Sequence, residues 1–321
     1  MLPSTRPLRK LSHLANILPS CGMALAGMIA LSVCDATNGQ NTLPSLARGV
    51  LTIVPAEISE ADTVTGPREL PELLRAATPW TPNYFPPSDT LHEMAKTITI
   101  RRAIWQFEFS AKPLRLIEAN VDGRRQQVWY LVYQLRNVGG HVRPISRDSG
   151  RSHELESFDS PLRFIPQFVL RDHEHDMEYV DQVIPDAVRR IQRVELRDPN
   201  VPLYDSVSIS NMLIDVSTES VDRSVWGVAT WSNVDPRADF ISVYVQGLTN
   251  AHRWEDLPNG GRDQQFRTLQ LNYWRPGDTV HEHSDEFRVG LPTFAEGPEL
   301  NRALKMYEMR DREVFTWVFR P

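Results

Sequence analysis

A two-residue alternation of apolar and polar side chains is the feature that most limits the folds open to this chain, and it dominates from Thr97 onward. Trp105, Phe107 and Phe109 alternate with polar residues, which places the three rings on one face of a strand and leaves the other face to solvent. Residues 128–133 (VWYLVY), in contrast, are apolar throughout. A strand of this kind is covered on both faces, so it predicts the centre of a sheet.

Further short strands are predicted along the chain, and turn sequences separate them. Asp122-Gly123 is typical of a hairpin turn, and Asp235-Pro236 of a turn between two strands. The additional strands are expected at residues 51–54, 114–119, 164–170, 225–231, 241–245, 269–273 and 314–319. Many short strands, without the strand–helix alternation of parallel α/β proteins, predict a mainly-β fold, an antiparallel β-sandwich.

Two helices and one polar segment interrupt the strand pattern. Apolar residues recur at helical spacing after Pro185, which suits the first position of a helix, and again after Pro298. We expect both to be accessory helices of a sandwich domain that covers residues 97–321. Residues 139–160 are polar, and because long polar connections are usually functional or mobile, we interpret them as such a loop.

The beginning of the chain has the organisation of a secretory signal peptide. Arg6, Arg9 and Lys10 precede an apolar run of thirteen residues from Cys21 to Val33, and small and polar residues follow it. The run is shorter than the about 20 apolar residues of a membrane-spanning helix. A buried N-terminal helix is the alternative interpretation.

Two features of this leader bear on location. Cys34 and Ala36 fit a cleavage site after Ala36, which makes residues 1–36 the signal peptide and predicts a protein of the periplasm, the cell surface or the medium. Alternatively, a lipid on Cys34 would make it a lipoprotein, the only case in which we expect membrane attachment. Because Cys21 and Cys34 are the only cysteines, cleavage after Ala36 leaves no thiol for a disulfide, a nucleophile or a thiolate metal site.

The net charge of the chain limits the classes of partner that it can bind. The chain has 35 basic and 41 acidic residues and a formal net charge of −6. Loss of the leader, which carries three basic residues and one acidic residue, takes this charge to −8. An acidic protein is not a nucleic-acid binder that works by bulk charge, so we expect no nucleic-acid partner. The composition, 41% hydrophobic and 24% charged, is that of a folded globular protein.

Residues 37–96 form a proline-rich, irregular segment. Eight prolines between positions 44 and 87 break it repeatedly, and capping-box spacing at residues 90–93 predicts one short helix that ends at Lys96. Trp80, Tyr84 and Phe85 lie among the prolines. The segment is either a strap across the main domain or a docking segment for a partner.

Three segments resemble known proteins. They are FEFSAKPLRLI (107–117), WYLVYQLRN (129–137) and DFISVYVQGLTNAHRW (239–254). The second resembles the conserved strand of bacterial immunoglobulin-like modules, in which a hydrophobic strand ends in Arg-Asn near a turn. Together the three are similar to a group of uncharacterised secreted planctomycete proteins. The resemblance covers about residues 97–320; it implies export and a β-rich, immunoglobulin-like sandwich, and it implies no catalytic or binding residue.

The sequence lacks several common catalytic motifs. It has no G-x-S-x-G nucleophile elbow, no G-x-G-x-x-G fingerprint and no phosphate-binding loop. His92-Glu93 begins like a zinc-protease helix, but Lys96 stands where the second histidine ligand must be.

Two His-x-His segments are the candidate metal ligands. His173 and His175 form one pair, and His281 and His283 form the other. On a strand, residues two apart point to one face, so each pair could chelate zinc, and the two pairs together could activate a water for hydrolysis. The alternative is that both segments are charged turns beside strand ends.

Tryptophans suggest a second kind of site, because flat aromatic rings on a sheet face bind sugars. Trp226 and Trp231 are five residues apart, so on one strand they point to opposite faces. Trp254 and Trp274 lie near turns, and we expect them to be exposed and to bind glycan. Core packing is the alternative for most of the eight tryptophans.

These observations favour a non-enzymatic structural or interaction module outside the cytoplasm, without a cofactor, whose partner is a cell-envelope protein or a polysaccharide. Two alternatives stay open: a metal-dependent hydrolase that uses the paired histidines with zinc, and a glycan-binding module.

Overall fold

The computed structural model describes residues 51–53, 55, 57–67, 99–147, 152–196, 198–256, 262–275, 287–292, 297–310 and 313–321. The leader, most of the proline-rich segment and the short helix predicted to end at Lys96 therefore lie outside the described residues. Every described residue belongs to one compact unit, residues 46–321.

Strands make up about half of the described chain. They are β1 (Leu51–Ile53), β2 (Val64–Pro67), β3 (Thr99–Arg101), β4 (Glu108–Ala111), β5 (Arg115–Val121), β6 (Arg124–Arg136), β7 (His141–Arg147), β8 (Ser152–Phe158), β9 (Gln167–Asp172), β10 (Met177–Val180), β11 (Leu203–Tyr204), β12 (Val225–Trp231), β13 (Phe240–Gln246), β14 (His252–Asp256), β15 (Arg262–Trp274), β16 (Arg288–Val289) and β17 (Phe315–Arg320). The helices are α1 (Pro185–Glu195), α2 (Ser206–Ser210) and α3 (Pro298–Met306), with a 3-10 turn at Glu60–Thr63.

Two large sheets contain most of these strands. The six-stranded sheet has the order β1-β4-β6-β12-β11, and β5 pairs with the first half of β6. The seven-stranded sheet has the order β10-β9-β13-β15-β14, and β16 and β17 also pair with β15. Neighbouring strands are antiparallel except for the short pair of β11 and β12, which is parallel.

The two sheets enclose one hydrophobic core. Trp129, Leu131 and Tyr133 from β6 belong to the same buried cluster as Val243 and Val245 from β13. Because the cluster draws on both sheets, the prediction of a mainly-β sandwich is confirmed. The immunoglobulin-like character of the sandwich stays a prediction.

Helix α1 covers the other face of the six-stranded sheet. Val128, Tyr130 and Val132, which alternate along β6 with the residues of the main core, form a second buried cluster with Ile191 of α1. Strand β6 is thus covered on both faces, as its apolar sequence predicts.

Helix α3 covers part of the outer face of the seven-stranded sheet. Ala303 of the helix and Tyr307 just after it are buried, and Leu300, Leu304 and Phe240 pack against them. The Tyr307 hydroxyl donates a hydrogen bond of 2.6 Å to the Tyr273 carbonyl of β15. Both predicted helices are confirmed, and the half of this face near β14 is left to the candidate site.

The interpretation of residues 139–160 as a loop is wrong, because β7 and β8 pair there as an antiparallel two-stranded ribbon. Charged partners face each other across it: Arg143 Nε donates a hydrogen bond of 2.7 Å to Glu156, and the Arg143 guanidinium lies over the ring of Phe158. Cross-strand pairs of this kind support a ribbon with little apolar surface, so a polar sequence need not be a loop.

A buried carboxylate fixes the end of α1 to the six-stranded sheet. Only 3% of the Glu195 side chain is exposed, and it accepts hydrogen bonds from Lys112 Nζ at 3.0 Å, Arg115 Nη1 at 2.8 Å and the Tyr130 hydroxyl at 2.8 Å. Burial by itself would raise the pKa of Glu195, but the bonds from Lys112 and Tyr130 and the charge of Arg115 outweigh burial and lower it.

We predict that Glu195→Ala lowers the free energy of unfolding by about 3–5 kcal/mol, because it leaves the cations of a buried cluster without their counter-charge. Urea-induced unfolding measures the change. Glu118→Ala is the matched control: its carboxylate is 61% exposed and pairs with Arg125, so we expect a loss below about 1 kcal/mol. Equal losses in the two variants would contradict a special role for Glu195.

Candidate functional site

A cleft of about 600 Å³ opens at one end of the seven-stranded sheet. Its walls come from the segment before β4, the loop that leads into β9, the end of β13 with the loop after it, and the paired strands β14 and β15. The described residues that line it are Arg102, Trp105, Arg163, Ile165, Pro166, Gln167, Gln246, Gly247, Thr249, Asn250, His252, Gln264 and Phe266.

Strand register places the floor of the cleft on the sheet face that points away from the core. Leu269 and Leu271 of β15 belong to the core, so Phe266 and Gln264 lie on the opposite face of that strand. Phe266 stands directly opposite His252 of β14, and Gln264 stands opposite Trp254. These four side chains therefore share one face.

Aromatic rings form a row across this floor. The ring centroids of His252 and Phe266 are 5.8 Å apart, and those of His252 and Trp254 are 6.2 Å apart. Trp254 is 37% exposed; it is not one of the described lining residues, but its ring lies beside the cleft in contact with the ring of His252. The rings of His252 and Trp254 are nearly perpendicular, at 85°, and those of His252 and Phe266 are tilted by 53°, so the row offers both ring faces and ring edges to a ligand.

Hydrogen bonds from one loop hold the wall that contains Trp105. The Asn250 side chain accepts a bond of 3.0 Å from the Trp105 amide and donates one of 2.8 Å to the Ala103 carbonyl. The Thr249 hydroxyl donates a bond of 2.8 Å to the Trp105 carbonyl. The main chain of Trp105 is thus anchored at both its amide and its carbonyl.

Gly247 lets two walls of the cleft approach each other. It adopts φ +95°, and a Cβ there would collide with the carbonyl of Ile165 in the loop that leads into β9. A residue with a side chain would meet both backbone strain and this collision, which only glycine avoids. Ile165 itself is 66% exposed at the cleft wall.

Polar groups of the cleft are cationic or neutral. Arg102 and Arg163 supply two guanidinium groups, and among the described lining residues none is acidic. Arg102 Nη2 donates to the His252 carbonyl at 2.9 Å and to the Asp62 carbonyl at 3.2 Å. Burial lowers the pKa of Arg102 and the charge of Asp62 opposes this shift.

Three glutamines add amide groups that can both donate and accept hydrogen bonds. Gln167 and Gln246 face each other across β9 and β13, and Gln264 lies on β15. Within the described part of the chain, the side-chain amides of these three residues make no hydrogen bond to another residue. They are therefore available to a ligand.

The first predicted histidine pair lies on a turn and not on a strand. Residues 173–176 form the turn between β9 and β10, and the two rings have separate partners. His173 Nε2 is 2.8 Å from the Ser242 hydroxyl, whereas His175 Nδ1 is 2.6 Å from the buried carboxylate of Asp172. Asp172 also accepts the Glu174 amide, so it closes the turn. The first pair thus has the position that the alternative interpretation gives it, a charged turn beside strand ends.

The second predicted pair, His281 and His283, lies outside the described residues. Among the residues that the structure describes, no group of three or more His, Cys, Asp or Glu side chains is arranged to hold a metal ion. The four-histidine zinc site, and the hydrolase that would depend on it, stay predictions.

The two predicted glycan-binding tryptophans have different environments. Trp274 is 4% exposed and lies beneath the guanidinium of Arg288, 5.2 Å from its ring centroid, so the expectation that it is exposed is wrong. The end of a strand need not be a surface when later segments pack over it. Trp254 is exposed as expected and borders the cleft, while Trp226 and Trp231 point to opposite faces of β12 as predicted.

Sequence reasoning missed the rest of the cleft. Its lining comes from segments that are up to about 160 residues apart, and Arg102, Arg163 and the three glutamines belong to no motif. One local signal indicates this polar and aromatic face. Gln264 and Phe266 are two residues apart on β15, so they share a face, and they stand opposite Trp254 and His252 of β14.

Comparison with known protein families, curated proteins and solved structures finds no match to this chain. The resemblance to secreted planctomycete proteins stays a prediction. None of the described helices is long and apolar enough to cross a membrane.

We predict that stability falls as the pH drops from 6.5 to about 4 because of His173. Burial, aided by the charge of Arg171, lowers its pKa to about 4, whereas the unfolded chain takes up the proton near pH 6.5. The contribution of His173 is therefore complete above pH 6.5 and is lost as the pH falls through this window. Urea midpoints at several pH values measure it.

His173→Gln should be less stable at pH 7 and should show a shallower fall between pH 6.5 and 4. His175→Gln is the matched control on the same turn. The bond to Asp172 raises the pKa of His175, so its contribution has the opposite sign and is lost as the pH rises. An unchanged pH profile in His173→Gln would contradict the assignment.

Proposed function

We propose that the chain is a non-enzymatic interaction module of the cell envelope that binds glycans in the cleft beside Trp254. The observation that carries this proposal is the combination of a row of aromatic rings and unbonded amide groups on one open sheet face. Sugars present both kinds of surface, since their C–H faces stack on flat rings and their hydroxyls need groups that donate and accept hydrogen bonds.

The construction of the cleft supports binding without rearrangement. Its floor belongs to paired strands, and Asn250 and Thr249 fix the main chain of Trp105. In a preformed site, little binding free energy is lost to the ordering of side chains and loops when the ligand binds. Extended sheet faces suit long ligands, because a chain of sugar units can lie along the strands.

The lining favours binding over cleavage. Glycoside hydrolysis by the common route needs two carboxyl groups on either side of the bond that is cut. The described lining residues supply guanidinium groups and amides instead. The predicted leader at the beginning of the chain supports a location outside the cytoplasm, where such polymers occur.

We predict that the purified protein is retained on at least one insoluble polysaccharide from a panel of cellulose, chitin, xylan and mannan. Trp254→Ala and Phe266→Ala should each reduce affinity by about ten-fold, because each removes an aromatic ring that a sugar can contact. Depletion isotherms measure the change.

Val194→Ala is the matched control. Val194 is also an exposed apolar residue, at 68%, but it lies on α1 over the other sheet, so retention should not change. Retention that is equal in all three variants would exclude the cleft, and failure to bind any member of this panel or the soluble polymers named below would exclude glycan binding.

A further inference from the structure

We infer that the cleft selects acidic polysaccharides, glycans that carry carboxylate or sulfate groups, and this inference rests on the proposed function. The argument concerns the two arginines of the lining and the charge of the protein around them.

The cleft has the opposite charge to the chain. The net charge is −6, yet the described lining residues include Arg102 and Arg163 and no carboxylate. At physiological ionic strength the field of a surface charge decays over about 8 Å, so a bound ligand responds to the nearest groups and less to the total. The cleft is therefore a local cationic site on an acidic protein.

Arg163 is the arginine that is able to reach a ligand. It is exposed, and among the described residues it makes one long hydrogen bond, of 3.5 Å, to the Ser210 carbonyl. Its planar guanidinium has five N–H donors, a geometry that fits the paired oxygens of a carboxylate or a sulfate.

Arg102 is held more firmly at the opposite wall. It is half-buried and donates to the carbonyls of Asp62 and His252. Its Nη1 also contacts the ring nitrogens of His252, and none of these partners is an anion. The charge of Asp62 acts on Arg102, but the Asp62 carboxylate also pairs with Arg267 at 3.4 Å, so the positive charge of Arg102 is only partly balanced. Part of its charge thus contributes to the potential of the cleft.

A neutral glycan would not require these cations. The three glutamines already supply donors and acceptors for hydroxyl groups, and cations held near a binding surface without a counter-ion cost free energy unless the ligand supplies the opposite charge. Single-stranded nucleic acid also combines stacking bases with phosphates, but two arginines on a protein of this net charge offer little for a backbone with one phosphate per nucleotide.

Matched pairs of soluble polymers test the inference. Polygalacturonate is compared with its fully methyl-esterified form, and dextran sulfate with dextran, by affinity gel electrophoresis or calorimetry. We expect at least about ten-fold tighter binding of the charged member in at least one pair, with affinity that falls as salt rises. A preference in the first pair identifies a carboxylate ligand, and one in the second a sulfate ligand.

Variants separate charge recognition from glycan binding. Arg163→Gln should weaken binding of the charged polymer about five- to ten-fold and leave the neutral member unchanged. Arg253→Gln is the matched control: Arg253 is exposed on the opposite face of β14, over the ring of Phe319, and should leave both unchanged. Trp254→Ala should weaken both members of a pair.

Two results would overturn the inference and leave the proposed function intact. One is equal binding of the charged and neutral members, and the other is an unchanged affinity in Arg163→Gln while Trp254→Ala still weakens binding. Tighter binding of a single-stranded oligonucleotide than of any polysaccharide, with the same dependence on Arg163, would overturn it in favour of nucleic acid. Failure of every polymer of the panel and of both pairs to bind would overturn the proposed function itself.

Discussion

Strand β6 is buried on both faces, and this double burial joins the two sheets and helix α1. Its odd-numbered residues Trp129, Leu131 and Tyr133 enter the core between the two sheets, and its even-numbered residues enter the cluster under α1. At roughly 25 cal/mol for each Å² of apolar surface buried, a strand covered twice stabilises the fold more than any strand with one wet face. Both layers and the helix are positioned by this one strand.

The candidate site exists because the outer face of the seven-stranded sheet is only partly covered. Helix α3 and Tyr307 cover one half of its outer face, where Ser242, Gln270 and Asn272 form a buried hydrogen-bonded network. The half toward β14 has no such cover among the described residues, and it carries aromatic rings and amides. A sheet face of this kind is stable in water because polar atoms lie between the rings, so it can stay open until a ligand arrives.

The local sequence pattern predicts the structure correctly where a single periodicity determines the element. Two features follow from the local sequence alone. One is the hairpin turn at Asp122-Gly123, where both residues have positive φ, and the other is the pair of boundaries of β12. The pattern failed for residues 139–160, where the cross-strand pair of Arg143 and Glu156 supports a ribbon that contains few apolar residues. Periodicity reports which face of an element is buried, and it carries no information on elements whose two faces are equally polar.

Short antiparallel strands, the central position of β6 and the two accessory helices can be read from the sequence, because each follows from the spacing of apolar side chains along a single segment. The burial of Trp274 and the position of Trp254 beside a cleft cannot be read in this way. Nor can the position of Gly227 across from the ring of Tyr133, which occupies the space a side chain would need. Such outcomes depend on contacts between segments far apart in the chain, and these contacts form only when the two sheets pack.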